Sequence, residues 1–488
     1  SNAYALGADV TENGRGKLYG NPHEPWGQVA GVQRFYAFHL TLPGELDVMG
    51  VAQQGQPFVN IGFNKDVAWS HTVSTAKRFT LYQLQLDTDD PMTYLYRNEA
   101  GEVEQRGIRS EDVTIRLPGD RTADGTIYSS HFGPLLAAEQ VSGSLPAWGT
   151  RGIAFAIRDA ASENPRGLMQ WLALNKATGV EDMKEKLQEI LGLPFVNTIA
   201  ADRFGNAMYA DISTVPHVTA DKLYACIDRG PYLKGLAAAG IPALDGTTAA
   251  CEWGNDADSP QAGILGGANL PVQIRRDYLL NSNDSYWLSN PEHPMTGFSP
   301  MLQRNLLPRP DTRDPEAHPR LLRTRMAFMQ VLDRLNGADG LDGNRFTLDN
   351  LKQVAWGNRS YAAEVELDAV LADCRDNPVR PLSSGGTVHP SPPCHPLANF
   401  PRRANLDSRG AHVFREFWAR VPFRRQLETI YRVPFDQDDP LYTPGELIID
   451  DSIRQALGDA IMLFREADVA MDAPLGDLQF VFDRSING

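Results

Sequence analysis

Two short segments in the first hundred residues alternate apolar and polar side chains. They are residues 38–42 (Phe-His-Leu-Thr-Leu) and 82–86 (Tyr-Gln-Leu-Gln-Leu). A period of two is typical of a strand with one buried face, so each segment is predicted to be a half-buried antiparallel strand. Residues 199–211 predict a further hairpin that turns at 203–206, where the sequence is Arg-Phe-Gly-Asn.

Later segments carry apolar residues at the spacing of an α-helix. One stripe runs from Val180 to Leu191, after Thr178 and before the helix breakers Gly192 and Pro194. A second stripe runs from Ile453 to Phe464. Strands that come first and helices that come later favour an α+β architecture.

The composition is that of a globular chain with an acidic balance. The 488 residues are 42% hydrophobic and 22% charged, with a formal net charge of −15. Such a chain can bury a large core, and it contains no Lys/Arg-rich run. Nucleic acid and anionic membranes are therefore not expected as partners. No apolar stretch reaches about 18 residues, so no membrane span is expected.

The first residue is a candidate nucleophile that carries its own base. An N-terminal serine attacks with its hydroxyl, and its α-amine, with a pKa of about 7.7–8.0, accepts the proton, usually through a water molecule. The alternative is that Ser1-Asn2-Ala3 is the remnant of a cleaved expression tag. In that case the chain would be a binding protein without this catalytic group.

Other sequence blocks accompany Ser1 in a defined order. They are Ser-Asn-Ala-Tyr-Ala-Leu-Gly (1–7), Gly-Asn-Pro-His (20–23), Asp-Val-Met-Gly (47–50), Ile-Gly-Phe (61–63), Ala-Trp-Ser-His-Thr-Val (68–73), Asn-Ser-Asn-Asp-Ser (281–285), Gly-Phe-Ser-Pro (297–300) and Leu-Arg-Thr-Arg (322–325). With these blocks the chain resembles the penicillin acylase-like N-terminal nucleophile hydrolases, in particular the β-subunits of acyl-homoserine-lactone acylases and aculeacin-type acylases. The resemblance extends from Ser1 to about Arg484.

The resemblance implies a four-layer αββα sandwich with Ser1 at the edge of an inner sheet. It places the nucleophile-bearing core in residues 1–300, a mainly helical insertion with a Pro-rich loop in 301–440, and a return to the core in 441–488. In this family the serine is exposed by autocatalytic cleavage of a precursor, which also yields a smaller α-subunit. Because relatives continue beyond the position of Gly488, we expect the chain to be an incomplete β-subunit.

The same resemblance assigns roles to four residues besides Ser1. The backbone N–H of Val73 and the side-chain amide of Asn283 are expected to stabilise the oxyanion. In the absence of the family, Asn283 would be interpreted as a turn residue. His23 is expected near the α-amine, where its ring or backbone orients the attack. Arg323 is expected to hold the asparagine and the amine in place. Arg325, two positions later, is the alternative if the match to the family is shifted.

An acyl pocket is expected at Glu24, Val73, Trp171, Phe195 and Val196. Apolar walls bind an alkyl chain with about 0.8 kcal/mol per methylene group. Glu24 departs from the family, whose members carry an aromatic residue there. Ordinary core packing is the alternative for the two aromatic residues. No metal is expected after Val73, because the sequence continues Ser-Thr-Ala-Lys-Arg rather than with acidic residues.

The four cysteines form an even set at spacings that suit two local disulfides, Cys226–Cys251 and Cys374–Cys394. Disulfides indicate an oxidising compartment, so a periplasmic or secreted protein is expected. A zinc site built from the second pair and two histidines, His389 and His395, is the alternative. It lacks the paired spacing that is usual for structural zinc.

Taken together, the sequence predicts an amidohydrolase that removes a fatty acyl chain through an acyl-Ser1 ester, without a cofactor. Homoserine lactone is the expected head group, with cyclic lipopeptides and β-lactams as alternatives. The expected partner is the smaller α-subunit. There is no G-x-S-x-G elbow and no H-E-x-x-H motif that would favour another hydrolase class.

Overall fold

The computed structural model describes residues 1–23, 35–389, 394–421 and 428–479. Its strands are β1 (Asn2–Leu6), β2 (Lys17–Asn21), β3 (Phe35–Leu42), β4 (Leu46–Gln53), β5 (Ile61–Asn64), β6 (Val67–Val73), β7 (Phe79–Leu86), β8 (Thr93–Arg97), β9 (Val103–Gly107), β10 (Arg109–Leu117), β11 (Arg121–Ser130), β12 (Gly133–Leu136), β13 (Ile153–Asp159), β14 (Val196–Asp202), β15 (Ala207–Ala210), β16 (Ala243–Asp245), β17 (Val272–Arg275), β18 (Tyr278–Asn281), β19 (Arg380–Pro381), β20 (Thr387–Val388), β21 (Tyr431–Val433) and β22 (Gly445–Leu447).

The α-helices are α1 (Ala138–Val141), α2 (Gly167–Asn175), α3 (Val180–Ile190), α4 (Ala220–Ile227), α5 (Pro231–Ala238), α6 (Leu322–Leu335), α7 (Leu348–Trp356), α8 (Tyr361–Asp376), α9 (His395–Ala398), α10 (Ala411–Arg420) and α11 (Asp451–Glu466). Short 3-10 turns lie at Thr150–Gly152, Ala160–Glu163, Ala249–Cys251, Gly267–Asn269, Tyr286–Leu288, Pro300–Leu302 and Leu475–Asp477. Within the described ranges, no helix is both long enough and apolar enough to span a lipid bilayer.

Three sheets organise the first 300 residues. A three-stranded sheet has the order β18-β1-β2, and a seven-stranded sheet has the order β17-β15-β14-β6-β5-β4-β3. An eight-stranded sheet has the order β10-β11-β12-β13-β7-β8-β9, with β16 paired to β7. Every pairing in the first two sheets is antiparallel.

The first two sheets form the inner layers of a four-layer sandwich. Strand β1 lies across β6, β14 and β15, so the two sheets face each other. Helix α6 packs on the outer face of the three-stranded sheet, and α3 packs against β14 and β15. The predicted α+β fold with αββα layering is confirmed.

The sequence of β1 accounts for its central place. Successive side chains of a strand point to opposite faces. Ala3 and Ala5 therefore pack into the cluster between the two sheets, while Tyr4 and Leu6 pack into the cluster that includes α6. The small alanine side chains let the sheets approach closely, and all four residues are buried.

The elements predicted from periodicity are present. Strands β3 and β7 include the two alternating segments, β14 and β15 form the predicted hairpin, and α3 and α11 carry the two apolar stripes. The apolar face of β3 is more exposed than a half-buried strand suggests, because Leu42 is 51% exposed. Strand β3 is the edge of its sheet, so no further strand of the sheet covers it there.

A separate apolar cluster lies in the helical part of the chain. It joins α8, α10 and α11 with the disulfide Cys374–Cys394 and extends to Leu475. The described residues after 444 pack mainly in this helical cluster, because the apolar stripe of α11 faces α10. The disulfide Cys226–Cys251 lies in the main core.

Candidate active site

The register of the three-stranded sheet sets the surroundings of Ser1. Ala3 pairs with Asn281 of β18, and Asn2 pairs with Asn21 of β2. Continued by two residues, the first register brings Asn283 level with Ser1. The chain that leaves β2 passes the other side of Ser1 and reaches His23. Two segments that are distant in sequence therefore meet at Ser1 because they flank the same strand.

Ser1 makes hydrogen bonds through its amine, hydroxyl and carbonyl groups. The α-amine donates to Asn283 Oδ1 at 2.5 Å. The backbone N–H of His23 donates to Ser1 Oγ at 3.3 Å. Arg323 Nη1 donates to the Ser1 carbonyl oxygen at 2.6 Å. These contacts hold the amine and hydroxyl of one residue in a fixed relation, as a serine that uses its own amine as base requires.

Arg323 binds three oxygens from the first turn of α6. Besides the Ser1 carbonyl, it donates to Asn2 Oδ1 at 2.8 Å and, through Nη2, to Asn283 Oδ1 at 2.9 Å. Burial lowers the pKa of its guanidinium, while Asp284 opposes this decrease. Arg325 points elsewhere and donates to backbone carbonyls at 2.6 and 2.8 Å. The structure thus brings Arg323 rather than Arg325 to Ser1.

Asn283 lies in the loop after β18 with a backbone φ of +64°, a left-handed conformation that asparagine tolerates well. The turn itself is made by Asn281, whose Oδ1 accepts the backbone N–H of Asn283 at 2.8 Å. Asn281 therefore takes the turn role that we considered for Asn283. This leaves the Asn283 side chain to contact Ser1.

Val73 ends β6 beside Asn283. Ser74 N–H donates to Phe195 O at 3.0 Å, whereas Val73 stands opposite Val196 one position earlier in the ladder. Hydrogen-bonded and non-hydrogen-bonded pairs alternate in antiparallel sheets, so the N–H and C=O of Val73 take no part in the backbone ladder with β14, although Asn197 Nδ2 donates to the Val73 carbonyl at 3.4 Å. Asn283 Nδ2 donates to the Val73 carbonyl at 3.0 Å. Two candidate oxyanion donors, Val73 N–H and Asn283 Nδ2, therefore lie on the same side of β6.

His23 contacts Ser1 through its backbone N–H. Partial burial of the ring, the Ser1 amine and Arg323 together lower the pKa of His23 to about 4. The ring is therefore neutral at neutral pH. A neutral ring adds no positive charge next to the amine and the guanidinium.

Three of the predicted acyl-pocket residues, Val73, Phe195 and Val196, lie where β6 pairs with β14. Val196 starts this strand opposite Val73, and Trp171 packs partly buried against the main core. Trp171 Nε1 donates to His71 Nε2 at 3.4 Å, and burial keeps His71 neutral by lowering its pKa to about 4. The ring of Phe195 stacks under the Arg78 guanidinium, 4.6 Å from the ring centre. Glu24 lies outside the described residues.

Comparison with known proteins places the chain in a family. The sequence profile of penicillin amidase matches residues 1–486. The chain belongs to the penicillin amidase family. It is similar to aculeacin-A acylase from Actinoplanes utahensis, with 41% identity over 462 residues, 94% of this chain and 55% of that protein.

Other members of the penicillin amidase family are also similar. The acyl-homoserine lactone acylase PvdQ from Pseudomonas fluorescens (strain Pf0-1) is 35% identical over 493 residues, 99% of this chain and 57% of that protein. The chain thus spans about half the length of these relatives. A solved structure of penicillin G acylase from Alcaligenes faecalis shares the fold, with a TM-score of 0.59 and 16% identity over 96% of this chain and 80% of that one.

Three buried polar residues hold the loop of Asn283 against β6 by hydrogen bonds. The sequence analysis gave none of them a role at the site. Asn281 Oδ1 also accepts the Thr72 hydroxyl at 2.6 Å, and Asn197 Nδ2 donates to Thr72 Oγ1 at 3.0 Å. These bonds link the end of β6 to the loop that carries Asn283. Asn281 and Thr72 lie inside two of the blocks quoted above, whereas nothing in the sequence marked Asn197.

A buried ion pair fixes the start of α6. Arg320 Nη1 donates to Asp284 Oδ1 at 3.1 Å, and the Thr324 hydroxyl donates to Asp284 Oδ2 at 2.7 Å. Burial alone would raise the pKa of the Asp284 carboxyl, but Arg320, Arg304 and Thr324 lower it overall. The charged Asp284 thereby ties the loop after β18 to the helix that presents Arg323.

The described residues contain no group of three or more His, Cys, Asp or Glu side chains placed to hold a metal ion. Cys374 and Cys394, the thiols of the alternative zinc site, form a disulfide. A disulfide sulfur is not a thiolate, and zinc sites use thiolates as ligands. The structure therefore favours the disulfide interpretation of this pair.

Proposed function

We propose that Ser1 is the nucleophile of an amide hydrolase that works through an acyl-serine ester. The proposal rests on the hydrogen bonds around Ser1. The Ser1 amine donates to Asn283, the His23 N–H donates to the Ser1 hydroxyl oxygen, and Arg323 donates to the Ser1 carbonyl. Membership of the penicillin amidase family and the names of its acylase relatives support this reaction class.

The proposed chemistry has two halves. Ser1 Oγ attacks the amide carbonyl, and the α-amine accepts the hydroxyl proton and passes it to the leaving amine. Val73 N–H and Asn283 Nδ2 then bind the oxyanion, which replaces the Val73 carbonyl as the acceptor of the Asn283 amide. Preorganised donors of this kind are each worth about 2.7–4 kcal/mol of barrier. Water, deprotonated by the same amine, hydrolyses the ester and restores Ser1.

The proposed substrate carries a fatty acyl chain that binds beside β14. Val73 and Val196 are paired at the edge of the site, and Trp171 packs nearby against the core. An N-acyl-homoserine lactone is the first substrate to test, because PvdQ relatives carry that activity in their names. A lipopeptide is the second candidate, favoured by the higher identity of 41% to aculeacin-A acylase.

We further propose that a smaller α-subunit from the same precursor completes the protein. The chain spans 55% and 57% of two relatives, which leaves room for such a partner. Strands β4 and β5 expose two neighbouring apolar side chains on one face that a partner would cover, Met49 and Phe63. The two disulfides suit a periplasmic or secreted protein.

The test uses both subunits expressed separately, so that no variant depends on self-cleavage. Fatty acid release from a chain-length series of N-acyl-homoserine lactones is measured by mass spectrometry for wild type, Ser1→Ala and the control Ser110→Ala, an exposed serine of β10. We expect release by wild type and by the control but not by Ser1→Ala. Release by Ser1→Ala at the wild-type rate would exclude Ser1 as the nucleophile.

A second measurement addresses the tag-remnant alternative. The tag-free precursor is expressed, and its chains are identified by intact mass and N-terminal sequencing. We expect cleavage directly before Ser1 and co-elution of a smaller chain. An uncut precursor without amidase activity would favour a binding protein.

A further inference from the structure

A pocket of about 300 Å³ opens directly beside the proposed oxyanion donors. Its lining includes both donors, Val73 and Asn283. It also includes four residues that the proposed mechanism does not use: Ser74, Thr75, Lys77 and Arg304. Asn283 also binds the Ser1 amine at 2.5 Å, so this pocket adjoins the candidate nucleophile.

Two positively charged side chains contribute to the lining of the pocket. Lys77 and Arg304 contribute two cations, and Ser74 and Thr75 contribute hydroxyl groups. Val73 supplies the apolar side chain. The aromatic residues proposed for the acyl side do not line this pocket.

Of the two cations, Arg304 interacts with Asp284 without a direct ion pair and helps to lower the pKa of that carboxyl. No ion pair among the described residues includes Lys77 or Arg304; instead Lys77 Nζ donates to the Arg304 carbonyl at 3.1 Å, and Arg304 Nη2 donates to the Asn283 carbonyl at 3.1 Å. Burial, with a smaller contribution from Arg304, lowers the pKa of Lys77 to about 8. A bound anion would relieve this unfavourable burial of positive charge.

The nearest carboxyl groups are already engaged. Asp211 lies behind Ser74, whose hydroxyl donates to its two oxygens at 2.8 and 2.9 Å, and burial raises the pKa of Asp211 to about 7. Asp284 is bound by Arg320. At or below neutral pH the pocket therefore keeps a positive balance next to the candidate catalytic groups.

We propose that this pocket binds the amine side of the substrate and selects leaving groups that carry a carboxylate close to the scissile nitrogen. The inference rests on the proposed amide hydrolysis and specifies its substrate class as N-acyl amino acids, including ring-opened N-acyl-homoserine. Water supplies OH to the acyl carbon and H to the nitrogen, so the products are a fatty acid and a free amino acid.

A structural role for Lys77 makes a different prediction. Its ammonium group donates to the Arg304 carbonyl at 3.1 Å, so the side chain also ties its loop to that of Arg304. Loss of a purely structural lysine would lower the hydrolysis of all substrates alike. Loss of a carboxylate-binding lysine would change the ratio between charged and neutral head groups, since a lactone carbonyl is only a neutral acceptor for the same cations.

The test compares two substrates with the same acyl chain, an N-acyl-homoserine lactone and its ring-opened carboxylate. Both are offered to the two-subunit protein as wild type, as Lys77→Met and as the control Lys352→Met, an exposed lysine of α7. The readout is the ratio of kcat/KM for the carboxylate to kcat/KM for the lactone. We expect Lys77→Met, and separately Arg304→Gln, to lower this ratio at least tenfold, and the control to leave it within twofold of wild type.

The possible results separate this inference from the proposed function. If hydrolysis requires Ser1 but the ratio stays within twofold in both pocket variants, the carboxylate inference is overturned and the acylase proposal stands. An equal loss on both substrates, accompanied by a lower melting temperature, assigns Lys77 a structural role and also overturns the inference. If wild type hydrolyses neither substrate, the carboxylate inference is overturned, and the proposed amide hydrolysis is then tested with the lipopeptide.

Discussion

Replacement of Asn283 by aspartate tests the acceptor and the donor of its side-chain amide separately, because it keeps the acceptor oxygen and removes the N–H donor. Aspartate has nearly the same shape and tolerates the φ of +64° at this position. In the wild type, Asn283 Oδ1 accepts from the Ser1 amine at 2.5 Å and from Arg323 Nη2 at 2.9 Å. The aspartate carboxylate keeps an acceptor for both donors. It loses the Nδ2 donor, which contacts Val73 O at 3.0 Å and which we assign to the oxyanion.

The effects on activity and stability should therefore diverge. Loss of one oxyanion donor costs about 2.7–4 kcal/mol of barrier, and a carboxylate facing the oxyanion adds repulsion, so we expect kcat/KM to fall about a thousandfold or more. For folding, the lost bond to Val73 is worth about 1 kcal/mol, and charge-assisted bonds to the amine and Arg323 offset it. We expect the unfolding free energy to change by no more than about 1 kcal/mol.

The assay measures acyl-chain release and denaturant unfolding on the two-subunit protein. Asn358→Asp is the matched control, because Asn358 also has a positive φ, of +47°, and lies on an exposed loop of the helical part. In Asn283→Asp, the acidic limb of the pH–rate profile should move to higher pH, since a carboxylate beside the amine favours the ammonium form. If Asn283→Asp retains more than a tenth of wild-type kcat/KM, its amide is not an oxyanion donor.

Three further perturbations test the surroundings of the site. Arg323→Lys replaces the guanidinium group, which binds three oxygens, by a single ammonium group, and it loses at least one charge-assisted hydrogen bond of about 1.5–3 kcal/mol. In the same assay kcat/KM should therefore fall about tenfold to a hundredfold. Unchanged kinetics would contradict the positioning role. Burial raises the pKa of Asp211 from 3.8 to about 7, so the folded state holds a proton that the unfolded chain releases. Its contribution to stability is greatest below pH 4 and declines as the pH rises to 7, by up to about 4 kcal/mol. Asp211→Asn keeps an acceptor for the Ser74 hydroxyl, so its unfolding free energy should lack this decline; parallel pH curves for wild type and variant would refute the buried-proton explanation. Replacement of Cys374 and Cys394 by alanine opens a loop with a sequence separation of 20. It should lower the free energy of unfolding by about 3 kcal/mol, measured by denaturant titration, and an unchanged midpoint would show that the cross-link adds nothing.

The sequence alone determined the local elements and the family. Period-two segments became β3 and β7, and the apolar stripe at helical spacing became α3, because the side-chain period of an element is written directly into its residues. The order of the short blocks indicated the penicillin amidase family. Ser1, Val73, Asn283 and Arg323 could be named as candidates because each belongs to such a block.

Only the tertiary structure decided how these residues meet. The bond between the Ser1 amine and Asn283 joins positions 282 apart, and it depends on the register of β1 against β18, which no local period encodes. The same packing chose Arg323 over Arg325, and gave the turn role to Asn281. It also placed Lys77 and Arg304, from loops distant in sequence, in one pocket. A sequence specifies which face of an element is buried; which atoms then lie within hydrogen-bond distance is settled by how the layers pack.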